Sequence, residues 1–352
     1  MSTRLARLRH SAVIYSGALL CGAIGYLINL PLPWMIGAMF FAAAMRLSDR
    51  PVEVPAMTRP IGQMIVAASV GLSFTPDAVA TVASMFVPMI AAAVLTIHAG
   101  FLVATVLMRL AHLDVVSATL CAMPIGPVES ASLAAHHGVS EGPIVFAQTL
   151  RVMLLVICIP PLLVYSSDAT HDPMAVLRNL PWTVPGAILL ASVSLLGAVA
   201  AKVLQLGNPY FIGALGGAAV ASALSLPATP FPYPALVVAQ IFLGVWLGAV
   251  LDRRLLHNAT GFIRAVFISA VLLILLCAAL GLALTWFTDE RWQVMILATA
   301  PGSVTEMTLT AKVLQDGITV VTAFHLVRIF IILPLAPLLI SLTARVAKAW
   351  GP

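Results

Sequence analysis

The stretch that decides the fold occurs twice. Residues 122–163 read AMPIGPVESASLAAHHGVSEGPIVFAQTLRVMLLVICIPPLL, and residues 298–339 read ATAPGSVTEMTLTAKVLQDGITVVTAFHLVRIFIILPLAPLL. Each copy holds a glutamate and an arginine in otherwise apolar sequence, and 22 residues separate Glu129 from Arg151 as they separate Glu306 from Arg328. Charged residues in membrane-type sequence are costly unless they are buried in protein and used. These four residues are therefore the primary candidates for function.

The composition is that of a polytopic membrane protein. Of the 352 residues, 61% are hydrophobic and only 9% are charged, whereas soluble domains average about 25% charged residues. Several apolar runs reach the roughly 17–25 residues that cross a bilayer. The four cysteines and eight histidines are scattered without metal-ligand spacing, so we expect no metal and no other cofactor.

The two halves of the chain align at a nearly constant offset. Pro33 and Gly37 match Pro209 and Gly213 at an offset of 176, and Gln63 matches Gln240 at 177. Such a steady offset is typical of an internal duplication. It predicts a first membrane repeat over 1–165, a polar linker over 166–183 and a second membrane repeat over 184–352.

The basic residues indicate that the repeats are inverted. Loop 48–60 of the first half carries Arg50 and Arg59, whereas its equivalent, 224–235, carries no charge. The bias is reversed at the next loop, where Asp252-Arg253-Arg254 replaces Thr75-Pro76-Asp77. Because cytoplasmic loops carry the excess of lysine and arginine, the pattern predicts a multi-pass membrane protein with both termini in the cytoplasm.

Inversion requires an odd number of crossings in each half. Six apolar elements per half therefore include one that does not cross, and the segments around 114–138 and 292–316 are the best candidates. Each is broken in the middle, so each arm is about half as long as the hydrocarbon core is thick. We predict ten transmembrane helices and two re-entrant helical hairpins; the alternative is twelve transmembrane helices in parallel repeats. The predicted breaks are Pro124, Gly126 and Pro127 in one hairpin and Pro301 and Gly302 in the other.

The duplicated glutamates and arginines predict a substrate and ion site near the membrane midplane. Each hairpin brings an acid and a base to the same depth, so the carboxylate can hold a coupling ion and the arginine can clamp an anion through its paired donors. The alternative is a buried ion pair that only fixes the hairpin. Further candidates around these four residues are Gln148, His325, Ser303, Thr305, Gln63 and Gln240.

The broken segments and the Pro33-Trp34…Gly37 element resemble the AbrB-duplication family of bacterial inner-membrane proteins, whose members are often labelled ammonia monooxygenase or transition-state regulator AbrB. The resemblance covers about 15–340. The family pattern is similar to PGG-x-SEM, which the second copy, 301–307, fits better than the first copy, with Ile125 and Pro127 around Gly126. The architecture also looks like that of cation/proton antiporters and anion symporters, a resemblance that implies a homodimer.

The preferred function is secondary transport of a small organic anion, coupled to a proton or sodium ion, with the substrate bound between the hairpin tips. The partners expected are that anion, the coupling ion and the lipid bilayer. The alternatives are a membrane sensor that acts indirectly on gene expression and, less favoured, a monooxygenase-type enzyme. Copper or iron chemistry needs a cluster of ligands that the sequence does not show, so we expect no enzyme. DNA binding needs a basic soluble module, so we expect no nucleic-acid partner.

Overall fold

The computed structural model describes residues 2–166, 175–251 and 260–350, and all regular secondary structure in these ranges is helical. This confirms the all-α prediction. The helices of the first half are α1 (Ser2–Leu27), α2 (Pro33–Leu47), α3 (Thr58–Gly71), α4 (Pro76–Ser84), α5 (Phe86–Ala111), α6 (Val115–Ala122), α7 (Pro127–His136) and α8 (Glu141–Ser166). Those that follow are α9 (Ala175–Arg178), α10 (Val184–Val203), α11 (Pro209–Ala223), α12 (Tyr233–Ala249), α13 (Thr260–Leu284), α14 (Trp292–Thr299), α15 (Val304–Leu314) and α16 (Ile318–Trp350).

Six of these helices are long and apolar enough to cross a membrane: α1, α5, α8, α10, α13 and α16. A seventh crossing results if α3 and α4, which are bent by 93° at their junction, count as one span. The apolar helices α2, α11 and α12 have 15, 15 and 17 residues. A helix of 15 residues is about 22 Å long, less than the roughly 30 Å of hydrocarbon. The multi-pass architecture is therefore confirmed, and the number of ten crossings stays a prediction.

The duplication extends to details of the backbone. Leu32, before α2, and Asn208, before α11, both have φ 52°, and Asp49 (φ 57°) matches Ser225 (φ 53°) after the same helices. Residues other than glycine rarely adopt positive φ, so the coincidence reflects two copies of one structure. Part of the charge argument for inversion rests on 252–254, outside the described residues, and linker 166–183 is described only at 166 and from 175. The inverted arrangement stays a prediction.

The helices form two compact units. The first unit comprises Met1–Ala83, Ile159–Leu251 and Thr308–Thr319, and the second unit comprises Ser84–Cys158, Asp252–Met307 and Val320–Pro352. Each unit thus combines equivalent helices from the two sequence halves. The repeats predicted over 1–165 and 184–352 are units of sequence, and the compact bodies cut across them.

Close helix packing in the first unit depends on matched glycines. A Cβ atom on Gly37 would lie 2.5 Å from the carbonyl oxygen of Cys21, and one on Gly213 would lie 2.3 Å from that of Gly197. Real Cβ atoms do not approach backbone oxygens so closely, because atoms at that separation overlap. The pair predicted from the sequence to be equivalent therefore performs the same packing role, between α1 and α2 and between α10 and α11.

The first hairpin and the break of the second hairpin belong to the second unit, which includes α15 up to Met307. The first hairpin consists of α6 and α7 and the second of α14 and α15, with breaks at 123–126 and 300–303. These breaks contain all five residues predicted there except Pro127, which is the first residue of α7. In the inner parts of the first arms and the first part of each break, every residue from Ala118 to Ile125 and from Val294 to Pro301 is buried. Arms of eight residues are too short to cross a bilayer, as expected for hairpins.

Candidate functional site

Arg151 caps the broken end of the first hairpin. Because α6 stops at Ala122, its last carbonyl groups have no partner within the helix. The Nη1 atom of Arg151 lies 3.2 Å from the carbonyl oxygen of Ala122, and its Nη2 atom lies 3.3 Å from that of Met123 and 3.5 Å from that of Ile125. Arg151 is only 3% exposed. Its planar fork of N–H donors therefore satisfies much of the break by itself.

Gln148, one turn before Arg151 on α8, completes this network. Its Nε2 atom donates to the carbonyl oxygens of Leu120 at 2.6 Å and of Met123 at 2.9 Å. Its Oε1 atom accepts a hydrogen bond from Nη2 of Arg151. The side-chain amide of Gln148 thus donates to the end of α6 through its NH2 group and accepts from the guanidinium of Arg151 through its oxygen.

The second hairpin has the same arrangement with different residues. Arg328 donates to the carbonyl oxygens of Ala300 at 2.6 Å and of Gly302 at 2.8 Å. It also lies 2.8 Å from Nδ1 of His325, whose Nε2 atom lies 2.9 Å from the carbonyl oxygen of Leu297. Since arginine can only donate, Nδ1 accepts and Nε2 carries the proton. Both ring nitrogens are engaged, so the interpretation of His325 as a proton carrier gains no support, and the residue acts as a structural link.

The hydrogen bonds of the arginines correct the expectation of an acid–base pair. Within the described residues, both guanidinium groups donate to main-chain carbonyls and to Gln148 or His325, and neither forms an ion pair with Glu129 or Glu306. The break in each hairpin creates a helix C-terminus with about half a negative charge. That end competes with the carboxylate for the guanidinium, an effect that residue spacing does not reveal.

The two arginines nevertheless come together in the second unit. Arg151, Arg328 and Cys277 on α13 all belong to the second unit, and Arg328 and Cys277 lie within electrostatic range of Arg151. The sequence analysis did not select Cys277, because a cysteine in an apolar run gives no signal of its neighbours. The second unit therefore holds two buried guanidinium groups within electrostatic range of each other.

Both glutamates occupy the third position of the helix that follows the break. Glu129 folds back over the start of α7, where a Cβ atom on Gly126 would lie 2.1 Å from its Oε2 atom. That oxygen is buried and has no hydrogen-bond partner among the described atoms. A negative charge is favourable at a helix N-terminus. The carboxylate of Glu129 thus remains available to a ligand.

The second copy has the sequence of a capping box. Ser303-Val304-Thr305-Glu306 follows the S-x-x-E pattern, in which the glutamate reaches back to the start of its helix. The Oγ atom of Ser303 accepts a hydrogen bond from the backbone N–H of Thr305 at 3.3 Å. Glu306 and Thr305 are 6% and 1% exposed. Ser303 and Thr305 therefore lie beside Glu306, as expected, and Ser303 has a local structural role.

Gln63 and Gln240 lie in the first unit, apart from the unit that contains the other candidates. Both are buried, and neither amide atom of Gln240 has a hydrogen-bond partner in the described part of the chain. Their helices, α3 and α12, are in contact at the residues that precede the two glutamines, because a Cβ atom on Gly62 would lie 3.0 Å from the carbonyl oxygen of Ala239. Gly62 and Ala239 are equivalent in the duplication. The glutamines thus form a separate candidate pair.

Lys312 was missed by the sequence analysis. It is 7% exposed, and its Nζ atom donates to the carbonyl oxygen of Ser69 at 2.7 Å, near the end of α3 in the first unit. Lysines commonly stabilise the carbonyl end of a helix in this way. The available signal was a lysine in an otherwise uncharged stretch of α15. In the described ranges, no group of three or more histidine, cysteine, aspartate or glutamate side chains could hold a metal ion.

Comparison with known proteins places this arrangement in context. The family model described as "Transition state regulatory protein AbrB" matches residues 34–344. The chain is 25% identical over 348 residues to "Uncharacterized protein YhjN" of Bacillus subtilis (strain 168), covering 90% of this chain and 88% of that protein. It is 23% identical over 334 residues to "Putative regulator AbrB" of Escherichia coli (strain K12), covering 94% of each.

Proposed function

The chain belongs to the AbrB family, and we propose that it is a secondary transporter that moves a small organic anion together with a proton or sodium ion. The observation that carries this proposal is the pair of broken helices in the second unit, at 123–126 and 300–303. Non-helical backbone at membrane depth is tolerated only in protein or beside a water-filled cavity. Transporters use such breaks to bind substrates and ions.

The arginines support an anionic substrate. Each uses its terminal nitrogens to hold its own hairpin, and the Nε atom of Arg328 is buried without a partner among the described residues. An N–H donor on a charged, buried group gains a strong hydrogen bond from an anionic oxygen. The amide ends of α7 and α15 add a partial positive charge.

The carbonyl ends of the hairpins support a proton over sodium as the coupling ion. Sodium is bound by oxygen atoms of the kind found at the ends of α6 and α14. Here the guanidinium groups of Arg151 and Arg328 already occupy those carbonyls, and their charge repels a second cation. A proton requires only a carboxylate, which Glu129 and Glu306 offer.

Reconstitution into proteoliposomes tests the proposal. A thermal-shift screen of purified protein against carboxylates, amino acids and phosphonates, with and without sodium, first identifies a stabilising anion. We expect that anion to accumulate against its gradient when an inward proton gradient is imposed, and Glu306→Gln to abolish this accumulation. Uptake that never exceeds equilibration would contradict coupled transport.

A membrane sensor that influences gene expression indirectly is the second candidate. Its support is the description of the family as transition state regulatory and the name of the Escherichia coli relative. A soluble protein that co-purifies only in the presence of the bound anion would favour it. Neither role requires catalysis, and we propose that the protein is not an enzyme. We also propose a homodimer in the bacterial inner membrane with cytoplasmic termini, consistent with the basic N-terminus.

A further inference from the structure

A small cavity lies beside Arg151 in the second unit, on α5, α6, α8 and α13. The residues that line it include Arg151, Ser269, Cys121, Ala122 and Ala147. The volume of this cavity is about 10 Å³. That is room for about one water-sized group. We refer to it as the Arg151 cavity.

Two buried polar atoms at the Arg151 cavity lack hydrogen-bond partners. They are Nε of Arg151 and Oγ of Ser269, and the two residues are 3% and 5% exposed. Because each unpaired buried polar group costs about 1–3 kcal/mol, two such groups at one cavity indicate that something binds between them.

The equivalent positions in the second copy carry larger side chains. Phe324 stands 177 residues after Ala147, and Thr299 stands 177 residues after Ala122; both larger side chains are buried. The hydroxyl of Thr299 donates to the carbonyl oxygen of Cys277 at 2.8 Å. Ser269 has Ala92 as its counterpart. The small residues beside Arg151 and the hydroxyl of Ser269 thus occur together, and larger residues and an alanine stand at their equivalent positions in the duplication.

The charge around the Arg151 cavity favours an anion over a neutral guest. Among the described residues Arg151 has no carboxylate partner, and Arg328 adds a second positive charge within electrostatic range. A buried charge is costly unless a counter-charge or hydrogen bonds compensate it. The guanidinium N–H, the Ser269 hydroxyl and the Cys121 thiol can all donate, so they match a group that only accepts.

We propose that the Arg151 cavity binds one small inorganic anion of halide size, held by Nε of Arg151 and Oγ of Ser269. An organic anion does not fit in this volume, so the site is distinct from that of the transported substrate. The inference does not rest on the transport proposal, since it concerns equilibrium binding to the purified protein.

Thermal unfolding of the full-length protein in detergent tests the proposal, with sodium chloride or bromide compared with sodium gluconate at constant ionic strength. We expect chloride and bromide to raise the unfolding temperature saturably. Ser269→Ala should weaken the apparent halide affinity roughly tenfold, as expected for loss of a hydrogen bond to a charged group. Ala122→Thr, which introduces the residue of the second copy, should fill the cavity and abolish the halide effect.

Ser194→Ala is the matched control. Ser194 is 2% exposed and its Oγ atom is also unpartnered among the described residues, but it lies on α10 in the first unit. This variant should keep the halide response of the parent protein. The proposal is wrong if halides and gluconate act alike on the parent protein, or if Ser269→Ala responds like Ser194→Ala. Bromide diffraction that shows only a water at this position would also overturn it. If Ala122→Thr does not fold, the comparison of Ser269→Ala with Ser194→Ala decides whether the proposal holds.

Discussion

Gln148 and His325 make the same pair of hydrogen bonds in the two copies of the duplicated stretch. Each donates to a leucine carbonyl of the preceding short helix, that of Leu120 or Leu297. Each also accepts from the arginine three residues further along its own helix. A primary amide and a neutral imidazole can both donate on one side and accept on the other. Two different residue types therefore perform one role.

Exchanging these residues tests that equivalence. We expect Gln148→His and His325→Gln each to lower the free energy of unfolding by about 1 kcal/mol or less, because the hydrogen bonds can be re-formed. Gln148→Ala and His325→Ala leave buried polar groups unpaired and should cost about 2–3 kcal/mol. Thermal unfolding in detergent measures both. Exchanges as damaging as the alanine variants would show that the roles differ.

Arg328→Ala should be one of the most destabilising single changes in the chain. It leaves the carbonyls of Ala300 and Gly302 unpaired, for which we expect a loss of about 3–5 kcal/mol. Arg328→Lys retains the charge but not the fork, so it should fold better while still losing anion-dependent stabilisation. Arg109→Ala, at the exposed end of α5, is the control and should change stability by less than about 0.5 kcal/mol. If all three variants are equally stable, Arg328 does not cap the break of the second hairpin.

Substitution of the glutamates should abolish coupled uptake of the anion but preserve its exchange. Glu129→Gln and Glu306→Gln preserve side-chain size but cannot carry a proton. We expect each variant to lose uptake driven by a proton gradient while retaining exchange of internal for external anion in proteoliposomes. Replacing sodium with potassium should leave uptake by the parent protein unchanged. A strict sodium requirement would contradict the assignment of the carbonyl ends to the arginines.

Glycine packing in α11 gives a test of the fold with an internal control. Gly213→Ala places a Cβ atom 2.3 Å from the carbonyl oxygen of Gly197, whereas a Cβ atom on Gly216 meets nothing within 4 Å. We expect Gly213→Ala to cost about 1–3 kcal/mol through overpacking. Gly216→Ala should be neutral or stabilise by up to about 1 kcal/mol. Thermal unfolding distinguishes them, and identical behaviour would mean that α10 and α11 pack differently.

Labelling of engineered thiols tests the inverted arrangement. Ser140 and Gln315 are exposed and lie at the far ends of the two hairpins, after α7 and α15. In a background without Cys21 and Cys158, we expect a membrane-impermeant reagent to label Ser140→Cys from the cytoplasmic side and Gln315→Cys from the opposite side. Labelling of both from one side would favour parallel repeats.

Much of the fold could be predicted because the duplication gives each element an internal reference. The constant offset located the matched glycines and both hairpins, and the Pro/Gly breaks at 123–126 and 300–303 follow from residues that cannot continue a helix. The partners of Arg151 could not be predicted in this way. They are main-chain carbonyls, which every residue carries, so the side-chain sequence holds no record of them.

The Arg151 cavity was equally invisible in the sequence. Ala147 and Ala122 are ordinary residues of an apolar helix, and their meaning depends on Phe324 and Thr299, which occupy the corresponding places in the other copy. Comparison of aligned positions for size, and not only for identity, is the signal that could have located the cavity. Gln63 and Gln240 were expected beside the arginines, but they lie in the other compact unit. Matching runs in the sequence do not reveal which helices share a compact unit.

The unequal filling beside Arg151 and Arg328 has an energetic consequence for a carrier. Two identical halves related by a two-fold axis in the membrane plane would make its outward-facing and inward-facing forms equivalent, with equal free energy. Phe324 and Thr299 add buried volume on one side only, so under the predicted inversion the two forms pack differently. The protein without substrate would then populate mainly one of these two forms. The sizes of Phe324 and Thr299 would determine the side of the membrane from which substrate binds.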